Sequence, residues 1–212
     1  MRVGIDLQGL QSEGSRTRGI GRYSFEIVRN LLNYHDTHEY ILVENSALKE
    51  VHREFHSQIN KSRNISYISW YSPTPLSFIS HNKINIELGK SLRSYTFNCL
   101  QADIILVTSF LEGFSDNCLT EFDHELLKTP IISIFYDLIP LLNPDLYLNL
   151  NPEFSNYYYE KLKDFSEKQP NYCGFVRGST LKCEIVDHFF KNCGLCTHPN
   201  TKSDKANIFP WL

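Results

Sequence analysis

Val3, Ile5 and Leu7 alternate with polar or small neighbours, a period of two that predicts a strand at the start of the chain. Residues 8–19, QGLQSEGSRTRG, read as loop by composition. Ile20, Tyr23, Ile27, Leu31 and Leu32 then recur at helical spacing and predict a helix through about Asn33. YILVE (40–44) predicts a short buried strand, 47–59 a weaker helix, and ISYISWY (65–71) a strand of β-branched and aromatic residues. Pro73 and Pro75 mark a loop, after which Ile84, Leu88, Leu92 and Tyr95 predict a helix over 83–100. ADIILVTS (102–109) and PIISIFYDLI (130–139) are continuous apolar runs, the mark of parallel strands covered on both faces. Pro152 opens a helix carrying Phe154, Tyr157, Tyr158, Leu162 and Phe165. Strand and helix alternate over 1–168, which predicts an α/β fold with a doubly wound, mostly parallel, Rossmann-like sheet.

Composition narrows the class. The 212 residues include 14 Phe, 12 Tyr and 2 Trp, ample for a core, and a chain of this size buries roughly 70% of its unfolded surface without a staple. Lys and Arg number 21 against 24 Asp and Glu, a net charge of −3, which argues against nucleic acid as a partner held by overall charge. No run approaches the ~18 apolar residues of a membrane span, so no transmembrane segment is expected, although contact with a membrane surface stays open. MRVGIDL lacks the build of a signal peptide, and the expectation is a cytoplasmic protein. Its six cysteines are read first as free thiols.

Ligands of doubly wound sheets bind beyond the carboxyl ends of the strands, so the loops there carry the candidate chemistry. The first ends in Arg16-Thr17-Arg18-Gly19-Ile20-Gly21-Arg22-Tyr23 and runs straight into a helix. Glycines at a helix start allow close backbone approach, free N–H groups there attract anions, and Arg16, Arg18 and Arg22 add a field suited to phosphate. A flexible loop with solvated arginines is the alternative. The dinucleotide fingerprint is absent, since Ser24 stands where a third Gly would be, although Glu44 is a candidate ribose contact for an NAD-binding reading. The fourth strand ends in Ser109-Phe110-Leu111-Glu112-Gly113. A carboxylate there can hold sugar hydroxyls or simply cap a turn. The fifth ends in Tyr136-Asp137, where Asp137 serves either a ligand or its own loop.

Three phrases in order give these segments a family likeness: MRVGIDLQGLQ with RGIGRYS, then SFLEGFSDN, then IFYDLIPLLNPDLYL with YYYEKLKDF. Together they resemble the N-terminal, acceptor-side domain of a retaining glycosyltransferase of the GT-B fold, family 4, the glycosyl transferases group 1 type. The resemblance covers residues 1–168. It implies a nucleotide-sugar donor, a glycan or lipid-linked acceptor, no metal and no other cofactor. It places Asp137 on the cleft wall as the candidate catalytic residue. It makes Gly19, Gly21, Arg22, Tyr23, Glu112, Gly113 and Tyr136 candidate substrate-binding residues. Many relatives carry His-Asp where this chain has Tyr136-Asp137, and a phenol of pKa about 10 cannot replace an imidazole as a proton carrier near pH 7.

The family's donor-side domain bears two glutamates eight positions apart, and no Glu in this sequence has another eight residues on. The expectation is therefore an incomplete transferase, inactive alone, with residues 169–212 a divergent tail that lacks a donor-binding domain. Natural truncation, a frameshifted remnant and a split enzyme completed by a separate C-terminal domain all fit. Cys183, Cys193, Cys196 and His198 could hold zinc, but the second ligand pair of a standard finger is missing. Residues 192–212 lack apolar periodicity and are expected to pack loosely. A non-catalytic binding or assembly module is the main alternative function, and an NAD-binding domain a further one.

Overall fold

The computed structural model describes residues 1–34, 38–55, 61, 63–136, 139–167 and 172–176; for Tyr34, His52, 166–167 and 172–176 it describes the backbone alone. The strands are β1 (Arg2–Asp6), β2 (Glu39–Asn45), β3 (Ile65–Trp70), β4 (Ile104–Val107), β5 (Ile131–Phe135) and β6 (Tyr172–Val176). They form one sheet in the order β3-β2-β1-β4-β5-β6, and every pairing is parallel. This is the doubly wound, Rossmann-like arrangement that the alternation predicts. The strand order reverses between β1 and β4, which puts the crevice for a ligand beyond their carboxyl ends. β6 lies past residue 168, so the sheet runs on into the segment set aside as tail. Residues 177–212, with Cys183, Cys193, Cys196 and His198, lie outside the described residues, as does Asp137.

The helices are α1 (Gln8–Gln11), α2 (Gly19–Tyr34), α3 (Lys83–Cys99), the single turns α4 (Ile139–Leu142) and α5 (Pro144–Tyr147), and α6 (Pro152–Glu167). Strand periodicity sorts the core into two layers. Ile41 and Val43 of β2 join Ile105, Val107, Ile131 and Phe135 against Phe97 of α3 and Tyr158, Leu162 and Phe165 of α6. Tyr40 and Leu42 face the other way, with Ile5 and Leu7, onto Val28, Leu31 and Leu32 of α2.

Two expectations need correction. Residues 8–11 are a helical turn, not loop: Gln8 and Gln11 are fully buried, and their amides crosslink loops that composition alone cannot connect. Within 47–59 the described backbone holds one 3-10 turn, His52–Phe55, while 56–60 lie outside the described residues. The stripe that predicts α3 has a further surprise. Ile84, Leu88, Leu92 and Tyr95 are exposed, and the buried face is Gly89, Arg93, Ser94 and Phe97.

Arg93 explains that inversion. Its guanidinium lies 3.1 Å from the Asp6 carboxylate at the end of β1, with both side chains fully buried. Arg93 also donates to the carbonyls of Thr120 and Glu121 and stacks on the Phe122 ring, 3.7 Å from its centroid. Burial pushes the Asp6 carboxyl above its ordinary value, against the pull of Arg93. Removing one partner of such a pair strands the other. Arg93→Met is therefore expected to cost about 3–5 kcal/mol in urea unfolding at pH 7. The deficit should narrow as pH falls, because protonated Asp6 no longer needs the guanidinium. A cost under ~1 kcal/mol, the range of a surface pair, would contradict this role.

Candidate functional site

The crevice beyond β1, β4 and β5 is shaped by polar groups from loops distant in sequence. Gln8 donates from its side-chain amide to the Leu119 carbonyl at 2.6 Å and accepts from the Leu119 N–H at 2.9 Å, pinning the loop after β4 to α1. Gln11 does the same for the loop after β2, donating to the carbonyls of Asn45 and Lys49 and accepting from the Asn45 N–H. Glu44 is buried and accepts from Gln11 and from the Val51 N–H. That carboxylate is engaged inside the protein, against the ribose contact an NAD-binding reading requires.

Glu112 stands at the centre of the edge. Its carboxylate, buried, accepts from the hydroxyls of Ser12, Ser15 and Ser109 at 2.7, 2.9 and 2.8 Å. The Glu112 carbonyl accepts from the buried Tyr157 hydroxyl at 2.6 Å. Gly113 follows at φ +107°, where a Cβ would lie 2.3 Å from the Cys118 carbonyl oxygen, so the turn requires glycine. Ser12 Oγ also lies 2.6 Å from Asp116 Oδ2. One hydroxyl proton cannot serve two carboxylates. Burial, reinforced by the Asp116 charge, pushes the Glu112 carboxyl up and favours a proton there.

Through Ser15 the brace reaches the Gly-rich loop. The Ser15 carbonyl accepts from the N–H groups of Arg18 and Gly21, and the Arg18 carbonyl from Arg22. A Cβ on Gly21 would meet the Arg16 backbone at 2.4 Å, whereas one on Gly19 meets nothing within 4 Å. The two glycines thus divide their work: Gly21 lets the loop pack on α2, and Gly19 leaves the helix start open. The N–H groups of Gly19 and Ile20 have no acceptor among the described residues. Arg16, half-buried, and Arg18 and Arg22, exposed, form no ion pair among them either.

Tyr136, at the end of β5, faces this helix start. Its hydroxyl donates to the Thr108 carbonyl at 2.7 Å and lies 2.6 Å from Ser24 Oγ, and its ring meets the Tyr23 ring edge-on at 5.3 Å. A cavity of about 170 Å³ opens between Ile20, Leu111, Tyr136, Pro140, Phe154 and Tyr158. The structure thus brings Gly19, Gly21, Arg22, Tyr23 and Tyr136 to one end of the sheet. Glu112 and Gly113 sit at the same edge, with the Glu112 carboxylate turned into the protein. Gln8, Gln11, Ser12, Ser15 and Asp6 are additions that the sequence pattern missed. Among the described residues no group of three His, Cys, Asp or Glu side chains could hold a metal ion, and no helix is long and apolar enough to cross a membrane.

Glu112→Leu is expected to leave the Ser15 and Ser109 hydroxyls without their acceptor, while Ser12 keeps Asp116, at about 2 kcal/mol or more, whereas Glu112→Gln, close to the protonated carboxyl in shape, should cost less. Equal losses for the two variants in chemical unfolding would contradict the brace. Gly21→Ala is expected to cost about 1–3 kcal/mol through overpacking. Gly19→Ala should be neutral or stabilising by up to about 1 kcal/mol, since it removes a glycine from a helix. The reverse order of thermal midpoints would overturn the division of labour between them.

Comparison with known proteins adds an independent line. The chain is 28% identical over 170 residues to the serotype-specific mannosyltransferase WbdA of Escherichia coli, a match that takes in 78% of this chain and 20% of that protein. Two further E. coli proteins of the same description are 38% and 36% identical over 79 residues, 37% of this chain and 10% of each relative. The chain thus spans about a fifth or less of the length of these relatives. No family model and no solved structure matches it. Each of these relatives is by its description a mannosyltransferase, and the likeness takes in only part of each.

Proposed function

We propose that residues 1–168 form the acceptor-side domain of a retaining GT-B glycosyltransferase of family 4. It moves a sugar, mannose on the strength of its relatives, from a nucleotide-sugar to a glycan or lipid-linked acceptor. The observation that carries this reading is the open start of α2. At the start of α2 two N–H groups have no acceptor, and Arg16, Arg18 and Arg22 no ion pair, among the described residues; Arg16 and Arg22, with Lys49, line a cavity of about 470 Å³ beside that helix start. In transfer the departing diphosphate develops charge, and preorganised N–H and guanidinium groups stabilise it where it forms. Tyr136 fixes the crevice floor through Thr108 and Ser24. Its hydroxyl is engaged there, which suits a positioning role and not proton transfer. In this reading Asp137, the next residue, is the group that meets the acceptor, and Glu112 acts one step back by holding the Gly-rich loop.

The donor-binding wall belongs, in this proposal, to a separate C-terminal domain. In this reading residues 1–168 taken by themselves bind without turning over, since losing a single preorganised donor typically costs about 10²–10³ in rate. A non-catalytic binding module is the second reading. It is favoured by how many strand-edge polar groups, Glu44, Glu112 and Tyr136 among them, are already engaged inside the protein.

Calorimetry with a panel of UDP- and GDP-sugars tests the proposal. The chain is expected to bind at least one, and Arg22→Ala to weaken that binding by about 1–3 kcal/mol, the loss of a charge-assisted hydrogen bond. Equal affinity of the two proteins would return Arg22 to solvent. Released nucleotide from the chain alone, abolished in Asp137→Ala, would refute the one-wall account.

A further inference from the structure

Residues 108–130 join β4 to β5 without a helix. A parallel crossover ordinarily carries one, and it covers the sheet between its neighbours. Here α3 and α6 lie on that same face, both feeding one core layer, and the β4–β5 loop fills only the floor between them. Gly89 of α3 lets that loop sink in, since a Cβ there would come 2.8 Å from the Leu119 side chain. What remains is a groove of about 510 Å³, within the usual range for small-ligand sites. It opens at the N-terminal ends of α3 and α6, on the side of the loop away from the start of α2.

The wall chemistry is unusual for an unused surface. Lys161 is buried, with Nζ 2.6 Å from Glu121 Oε2 and donating to Thr120 Oγ1 at 2.7 Å. Burying such a pair costs several kcal/mol per ion before attraction returns part of it, yet both groups line the cavity. Farther out, Lys90 pairs with Glu87 at 3.1 Å, His81 with Glu153 at 3.0 Å, and Glu160 accepts from the Asn156 amide at 3.0 Å. Phe78 and Tyr157, packed edge-on at 5.2 Å, supply the apolar side.

We propose that this groove is a carbohydrate-binding subsite, separate from the crevice at the start of α2, that holds a neutral glycan segment. The argument is one of charge already answered. Lys90 is paired with Glu87, Lys161 with Glu121 and His81 with Glu153, Glu160 is held by the Asn156 amide, and the four carboxylates of the wall outnumber its three ammonium groups. A phosphate or uronate would have to enter among those carboxylates, and a metal cation would have to displace the ammonium groups. A sugar hydroxyl donates and accepts at once, so it can use the spare lone pairs of a paired carboxylate and the spare protons of a paired ammonium together. The C–H face of a pyranose ring suits the half-buried ring of Phe78, which Tyr157 backs from within. The inference goes beyond the proposed transfer, because it stands whether or not the crevice performs chemistry.

The test is amide-shift NMR and calorimetry on the full chain. The probes are neutral trisaccharides of mannose, glucose and galactose, with a galacturonate trimer as the anionic comparison. At least one neutral trisaccharide is expected to saturate and to move the amides of Gly113, Glu121 and Asn156. Asn156→Trp, an exposed substitution that fills the rim, should weaken that binding at least about tenfold, the scale of a binding hot spot. Phe78→Leu, which keeps apolar bulk and removes the ring, carries the same expectation should the first variant lose its fold. Arg22→Ala should leave trisaccharide binding unchanged while it weakens sugar-nucleotide binding, so failure here and failure of the transferase reading are separable. Absence of trisaccharide binding, indifference to both groove variants, or tighter binding of the galacturonate trimer would each overturn the proposal.

Discussion

The buried carboxylate of Glu112 sets the shape of the crevice. Three serine hydroxyls converge on it, two from the loop after α1 and one from the end of β4. A carboxylate out of water demands such partners, because an unanswered one costs far more than the hydrogen bonds return. Once they are satisfied, the Ser15 carbonyl is placed to take the N–H groups of Arg18 and Gly21, and the start of α2 follows. The open N–H groups and the arginines are thus a consequence of a contact made about 100 residues away in sequence. Carboxylate chemistry near a candidate sugar site is usually sought at the substrate. Here it lies beneath the loop that would meet the substrate.

The same economy recurs along the edge. Asp6 and Arg93 join β1 to α3, Gln8 joins α1 to the loop after β4, and Gln11 joins it to the loop after β2. Each is a long-range polar crosslink, the first an ion pair and the other two hydrogen bonds from side-chain amides to distant backbone. Such networks hold loops in one arrangement more sharply than apolar packing does. For a site assembled on loops, that rigidity keeps binding groups where a ligand would need them.

These crosslinks mark the boundary of what the sequence reveals. Element type was legible wherever local periodicity decides it: β2, β3, α3 and α6 fall within a residue or two of their expected bounds, and the parallel order follows from the apolar runs. Orientation was less legible. The apolar stripe of α3 points to solvent because Arg93 is drawn inward by Asp6, and no local window contains both residues. Gln8 and Gln11 read as loop because nothing nearby shows that a distant backbone will use their amides. Gly19, Gly21, Arg22, Tyr23 and Tyr136 were found as site candidates since each ends or follows a strand at the reversal point, a matter of topology. The separate duties of Gly19 and Gly21, and the inward turn of Glu112, are matters of packing that pattern does not encode.

The account rests on the start of α2 facing a phosphate-bearing ligand. Mapping amide shifts of the ¹⁵N-labelled full chain during titration with GDP and UDP addresses it most directly. The expected result is saturable movement of Gly19, Ile20 and Tyr23, with Tyr136 responding across the crevice and the groove between α3 and α6 silent. Movement confined to other surfaces, or none at nucleotide concentrations that saturate a typical millimolar site, would contradict the account.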